Sequence, residues 1–247
     1  MNKFEALKLV DDNDNGSDKE ENDNQQNGNI EENGKDKNEE GTVASEFGPT
    51  PEVGPGEHRL QFPYAFWFSK RYSNKTSSGG YESSIKLIGS FSTVEQFWSY
   101  YAYMVRPGDL PGNSNVHLFK HGIRPMWEDE ANKEGGKWIL RLRKGLASRY
   151  WENLILAILG EQFMVDSELC GAVVSLRFQD DIISVWNKNA QDQNTINRIR
   201  DTLRRILNLP QNTIMEYKAH SDSPNYRSSI KDPHLYAQDG RNENKSP

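Results

Sequence analysis

From about residue 58 onward, apolar and polar positions fall into short periodic runs separated by turn residues. Tyr64-Ala65-Phe66-Trp67-Phe68 reads as a dense aromatic strand, and Ile85 to Ser90 as a second. Thr93 and Gln96 form a capping box. Val94, Phe97, Trp98, Tyr101 and Val105 then recur at helical spacing, until Arg106-Pro107-Gly108-Asp109 stops the helix. A short strand is predicted from Val116 to Phe119. The run from Gly135 to Arg143 alternates in character: Trp138, Leu140 and Leu142 share one side, Lys137, Ile139, Arg141 and Arg143 the other. Ser148 is read as the cap of a second helix, whose stripe is Trp151, Leu154, Ile155, Ile158 and Leu159. Strands follow at Ala172–Phe178 and Ile182–Asn187, joined by the acidic turn Gln179-Asp180-Asp181. A third helix runs from about Thr195 to Leu207, and Thr213 to Lys218 closes the pattern as a last strand.

That order predicts an α+β fold of three helices and about seven or eight strands. Parallel sheets are built from near-continuous apolar strands, whereas several strands here alternate. The expectation is a largely antiparallel sheet with its helices on one face and the other face free to bind.

Charge divides the chain. Residues 1–57 hold 5 Lys and no Arg against 16 Asp plus Glu, a net of −11 within a total of −6. The remainder is therefore +5, a mildly basic body suited to anionic ligands. With Phe4 and Phe47 as its only aromatics, the segment 1–57 lacks the apolar surface to offset its conformational entropy and is expected to be a disordered acidic tail. Residues 58–220 form the expected folded domain, and 221–247, polar and aperiodic, a second disordered tail. The single cysteine, Cys170, excludes a disulfide framework. No signal peptide and no apolar run long enough for a membrane span are found, so an intracellular, cytoplasmic protein is expected. The sequons at Asn74 and Asn244 then read as chance matches.

Candidate chemistry centres on Pro125-Met126-Trp127-Glu128-Asp129-Glu130 and the alternating strand after it. By pattern alone Trp127 is a partly buried packing residue, and the three acids are a solvated turn. Arg177, in an otherwise apolar run, must face solvent or a ligand. His117 and His121 fall across a strand and turn, not on one helix face, so no zinc pair is expected. Gly135-Gly136-Lys137 lacks the preceding glycine of a phosphate-cradling loop. An enzyme acting on capped or free nucleotides would need a metal-binding acid cluster, for which Glu128-Asp129-Glu130 is the local candidate.

Trp67, Val94-Glu95-Gln96-Phe97-Trp98, Leu118-Phe119-Lys120, Pro125 to Glu130, Gly135-Gly136-Lys137-Trp138 and Cys170-Gly171-Ala172-Val173-Val174 resemble the eukaryotic translation initiation factor 4E family, from about His58 to Tyr217. The resemblance implies a curved antiparallel sheet backed by three helices on its convex face, and a non-enzymatic protein that binds the 7-methylguanosine cap of mRNA without cofactor or metal. It assigns the base site to Tyr81, Trp127, Glu128 and Trp186. Two aromatics would stack the cationic methylated ring, and the carboxylate would accept guanine N–H donors. Arg177 and Lys137 match phosphate-binding positions. Gln179 and Ile182 stand where two family lysines are usual, and Arg141 lies two residues along the strand face from Lys137.

A second surface follows from the same resemblance. His58, Val94, Trp98, Leu156 and Gly160 match a dorsal groove that receives a Tyr-x-x-x-x-Leu-Φ helix, as in GYF-domain or 4E-binding repressor proteins. Spacing alone reads Trp98 as core, and Arg59 stands where the family usually has Pro. Tyr64, Tyr81 and the runs Met104–Leu110 and Arg141–Arg149 resemble the 4E-homologous-protein branch. They imply a monomeric repressor with weak or no binding of the 4G scaffold, in competition with the main initiation factor. A working initiation factor recruiting that scaffold is the alternative.

Overall fold

The structure, a computed structural model, describes residues 46–70 and 84–222. Tyr81 lies outside the described residues, as do 1–45 of the tail expected at 1–57 and 223–247 of the tail expected at 221–247. The described elements are β1 (Arg59–Lys70), β2 (Ile85–Thr93), α1 (Val94–Tyr101), β3 (Ser114–Lys120), β4 (Gly136–Leu142), α2 (Ala147–Leu159), β5 (Leu169–Ser175), β6 (Asp181–Asn187), α3 (Gln193–Ile206) and β7 (Met215–Ala219).

Every strand pair is antiparallel, and the seven strands lie in the order β2-β1-β3-β5-β6-β4-β7. Alternation explains the layering. Tyr64 and Phe66 on β1, Val116 and Leu118 on β3, Trp138, Leu140 and Leu142 on β4, and Ile183 and Val185 on β6 join one core. Phe97 of α1, Trp151, Leu154, Ile155 and Ile158 of α2, and Ile196, Ile199 and Leu203 of α3 close that core from the helical side. Trp151 is fully buried and has the largest apolar side chain of α2, so truncating it to Ala would cost about 3–5 kcal/mol. The sheet is curved, with its three helices on one side.

Capping explains the helix boundaries. The Thr93 hydroxyl accepts from Gln96 N at 3.1 Å, while Ser92 N donates to Gln96 Oε1 at 2.9 Å. The reciprocal bond thus reaches one residue before the cap. α1 stops at Tyr101, not Val105, and leaves Tyr103 and Val105 exposed. Ser148 does not cap α2: Leu146 holds that position without a side-chain bond, and Ser148 Oγ accepts from Gly108 N at 2.8 Å, tying α2 to the preceding loop. Asp192 caps α3 by accepting from Asn194 N and Thr195 N.

Packing also begins before His58. The Phe47 ring stands edge-on to Trp67 at 5.2 Å, and Glu46 pairs with Arg124 at 2.6 Å. Residues 46–57, which composition placed in the acidic tail, therefore lie against the body, with one aromatic as anchor.

Candidate functional site

The face of the sheet away from the helices carries the other half of each alternation. Strand register sets three rows across it. One row contains Phe119, Gly171, Trp186, Lys137 and Lys218. The next contains Trp67, His117, Val173, Ser184, Ile139 and Glu216. The third contains Ser69, Asn115, Ser175, Ile182 and Arg141. At about 3.3 Å per residue, Lys137 and Arg141 mark points roughly 13 Å apart along β4.

Trp127 is carried over the first row by the β3–β4 loop, and two side chains hold that loop. The Asp129 carboxylate accepts from Arg124 N and Ala131 N, both at 2.9 Å. Asn132, fully buried, donates through Nδ2 to Arg124 O at 2.9 Å and Met126 O at 2.6 Å. Met126 anchors the loop against Ala65, Trp67 and Ile85. Trp127 packs, half-buried, on a cluster of Phe119, Ile123, Cys170, Val173 and Trp186, while Glu128 beside it is exposed. The run of three acids thus separates into two jobs: Asp129 builds the turn, and Glu128 faces outward.

Trp186 is nearly buried. Its ring meets Phe119 edge-on at 5.4 Å and the His220 ring at 4.3 Å, and Lys137 Nζ lies 5.0 Å from its centroid. Burial, with Lys218 nearby, pulls the Lys137 ammonium below the usual lysine range. An anion there would offset the desolvation and favour the charged form. Gly135 and Gly136 allow β4 to start here: a Cβ on Gly135 would meet Asn187 O at 2.0 Å, and one on Gly136 would meet the Tyr217 hydroxyl at 2.5 Å.

Arg177 lies in the turn beyond β5, not within the strand predicted to reach Phe178. Its guanidinium donates to Asn115 Oδ1 at 2.7 Å and to Leu176 O at 2.9 Å. Behind it, Asn115 Nδ2 donates to Ser69 Oγ at 2.9 Å, and Ser69 Oγ lies 3.0 Å from His117 Nε2. Burial, reinforced by Arg177, drives the His117 imidazole down to about 3, so it is neutral. Sequence reasoning missed this buried network. Its signal was the polar residues at alternate positions of β3, a strand buried throughout. Arg141 is exposed at the end of the third row.

On the helical side, Val94 is 38% exposed, Trp98 44% and Leu156 39%, so Trp98 is not the core residue that spacing alone suggests. α1 and α2 meet where the Tyr101 hydroxyl bonds Glu152 at 3.1 Å. Tyr101 touches Trp98, with ring centroids 5.9 Å apart, and Glu152 lies one turn before Leu156, so the exposed residues flank one seam. Gly160 is exposed at the end of α2. His58, also exposed, bonds Glu95 through Nδ1 at 2.7 Å, and that carboxylate raises its pKa. His117 and His121 each face a serine hydroxyl, Ser69 and Ser90. Among the described residues, no group of three or more potential ligands forms a metal site.

The sequence of residues 59–234 matches the family described as Eukaryotic initiation factor 4E. The chain belongs to that family. It is 50% identical to eukaryotic translation initiation factor 4E-4 of Caenorhabditis elegans over 179 residues, covering 72% of this chain and 84% of that protein. It is 44% identical to eukaryotic translation initiation factor NCBP of Triticum aestivum over 182 residues, covering 72% and 78%. Among solved structures, that of Caenorhabditis elegans eIF4E-3 with the 4E-binding protein Mextli and a cap analog aligns with a TM-score of 0.64 and 38% identity, covering 67% of this chain and 94% of that one. The correspondence covers the curved sheet and its three helices.

Proposed function

We propose that this protein binds the 7-methylguanosine cap of mRNA as a non-enzymatic, cytoplasmic, monomeric module of the 4E family and represses translation. The observation that carries the reading is the face built around Trp127. A half-buried indole is held on a cluster containing Trp186, an exposed carboxylate, Glu128, lies next to it, Lys137 lies against Trp186, and Arg177 lies farther along the same face on Asn115. A flat cation carrying phosphates is complementary to that set. The ring stacks on the indole with cation–π attraction, the carboxylate accepts its N–H donors, and the cations meet the phosphates. Tyr81 would supply the second stacking plane, and Arg141 a further cation. Solved structures of the worm protein with a cap analog, and of Ascaris suum eIF4E-3 with a methylated cap, support the ligand class.

The exposed Val94, Trp98 and Leu156 along the α1–α2 seam, with His58 and Gly160 at its ends, suit an amphipathic partner helix of the Tyr-x-x-x-x-Leu-Φ kind. The neighbour bound to Mextli supports that partner class. The repressor reading rests on Tyr64 and Tyr81 and on the runs Met104–Leu110 and Arg141–Arg149, and goes with weak or no 4G binding. Relatives named as initiation factors favour the second reading, a protein that recruits the scaffold. Tethering to a reporter mRNA separates the two. Silencing is expected, lost in Trp98→Ala but not in Trp127→Ala, because the tether replaces the cap. Stimulation of the reporter, with rescue of an extract depleted of the main cap-binding factor, would overturn repression.

A further inference from the structure

Phe178 is 95% exposed, the largest fractional exposure among the large apolar residues described. It sits in the β5–β6 turn directly after Arg177, and its ring contributes nothing to the fold's cores. The turn itself is firmly held. Lys144 Nζ donates to Arg177 O at 2.9 Å and to Asp181 Oδ1 at 2.6 Å, and Arg177 N donates to Asp181 Oδ1 at 3.3 Å. Antiparallel pairing of Leu142 with Asp181 brings the exposed Arg141 and Arg143 to the same end of the sheet. Two segments, 141–144 and 177–181, thus bring together an exposed aromatic and four cations, Arg141, Arg143, Lys144 and Arg177. The local carboxylates are Asp180, exposed, and Asp181, buried against Lys144.

An exposed aromatic plane on a held turn, flanked by cations, is the arrangement that holds single-stranded nucleic acid, with bases stacking on the ring and phosphates meeting the charges. The place of this end matters too. If the methylated base lies at Trp127 and Trp186 and the phosphates run toward Arg177, the chain that follows leaves the sheet at the β5–β6 turn.

We propose that this end of the sheet is a binding site for the RNA chain beyond the cap, with Phe178 stacking a nucleotide base and Arg143, next to the cap-phosphate cations Arg141 and Arg177, meeting the phosphate that follows. The proposal rests on the cap-binding reading. It adds that the ligand recognised is capped single-stranded RNA, not the cap alone.

Fluorescence titrations of the full chain with 7-methyl-GTP and with a short capped oligoribonucleotide test it. The oligonucleotide should bind more tightly, and the difference should shrink as salt rises, because phosphate contacts release counterions. Phe178→Ala should weaken the oligonucleotide about fivefold or more and leave 7-methyl-GTP unchanged, and Phe178→Trp should restore the difference. Equal affinity of the wild type for both ligands would overturn the proposal while leaving cap binding intact. So would full oligonucleotide affinity in Phe178→Ala, which would assign the ring to a protein contact. Equal losses for both ligands would overturn it too, by placing Phe178 in the cap site. Failure of the wild type to bind 7-methyl-GTP would overturn the cap-binding reading and this proposal together.

Discussion

Replacing Asn132 by Ala tests how the Trp127 loop is held. The Asn132 side chain is fully buried and donates to Arg124 O and Met126 O, the carbonyls that bracket the approach to Trp127. Alanine removes both donors. Arg124 O and Met126 O keep the backbone donors Met126 N and Asp129 N, so the loss is of two hydrogen bonds at about 0.5–1.5 kcal/mol each, or about 2 kcal/mol for the pair. For a domain of this size that lowers Tm by about 4–8 °C. The loop stays attached through Asp129 and Met126, so the fold should survive. Trp127 and Glu128 would then be ordered only on binding, at about 0.5–1.5 kcal/mol per side chain, and 7-methyl-GTP affinity should fall about fivefold or more. Thermal unfolding followed by circular dichroism, with ligand quenching of Trp fluorescence, reads both quantities. Tm and affinity equal to wild type would refute the claim that Asn132 tethers the loop.

Two further outcomes are expected. Burial holds His117 and His220 neutral, each with a pKa lowered to about 3, with Arg177 and Lys137 respectively adding to the effect. In the unfolded chain they titrate near 6.5, so the unfolded state gains protons first as pH falls. Stability should be full above pH 6.5 and decline toward pH 3, by up to about 1.4 kcal/mol per unit for each histidine. Denaturant titrations across that range should show the slope, and His117→Gln should remove about half of it; a flat profile in the wild type would contradict the burial argument. Trp98→Ala should keep 7-methyl-GTP affinity and lose capture of a Tyr-x-x-x-x-Leu-Φ peptide in a pull-down, since that residue is exposed on the opposite side of the sheet from Trp127.

Much of the fold was legible because single elements announce themselves. The alternation from Lys137 to Leu142 identified β4 and both of its faces, and structure places Trp138, Leu140 and Leu142 in the core as read. What pattern reading could not supply was anything set by pairing between distant segments. The His117–Ser69–Asn115–Arg177 network links three segments through register, and no local period reveals which polar residues meet. The Ser148 cap was misread for a related reason: a serine near a helix start also serves a loop from elsewhere, here Gly108 N. Trp98 shows the converse. Helical spacing marks a stripe, but Phe97 and Tyr101 fill the buried sector, and Trp98 falls at its edge. Within the run Glu128-Asp129-Glu130, only geometry separates the turn-building Asp129 from the outward Glu128.

On the cap-binding proposal, the face around Trp127 and Trp186 recognises a methylated, positively charged guanine with its phosphates. Calorimetric titration of the purified protein with 7-methyl-GTP and with GTP tests it most directly. One site is expected for 7-methyl-GTP, with about 5- to 30-fold weaker binding of GTP, the cation–π share of stacking on the half-buried Trp127 being about 1–2 kcal/mol. That preference should be lost in Trp127→Ala. Equal affinity for the two nucleotides, or a preference that survives Trp127→Ala, would contradict it.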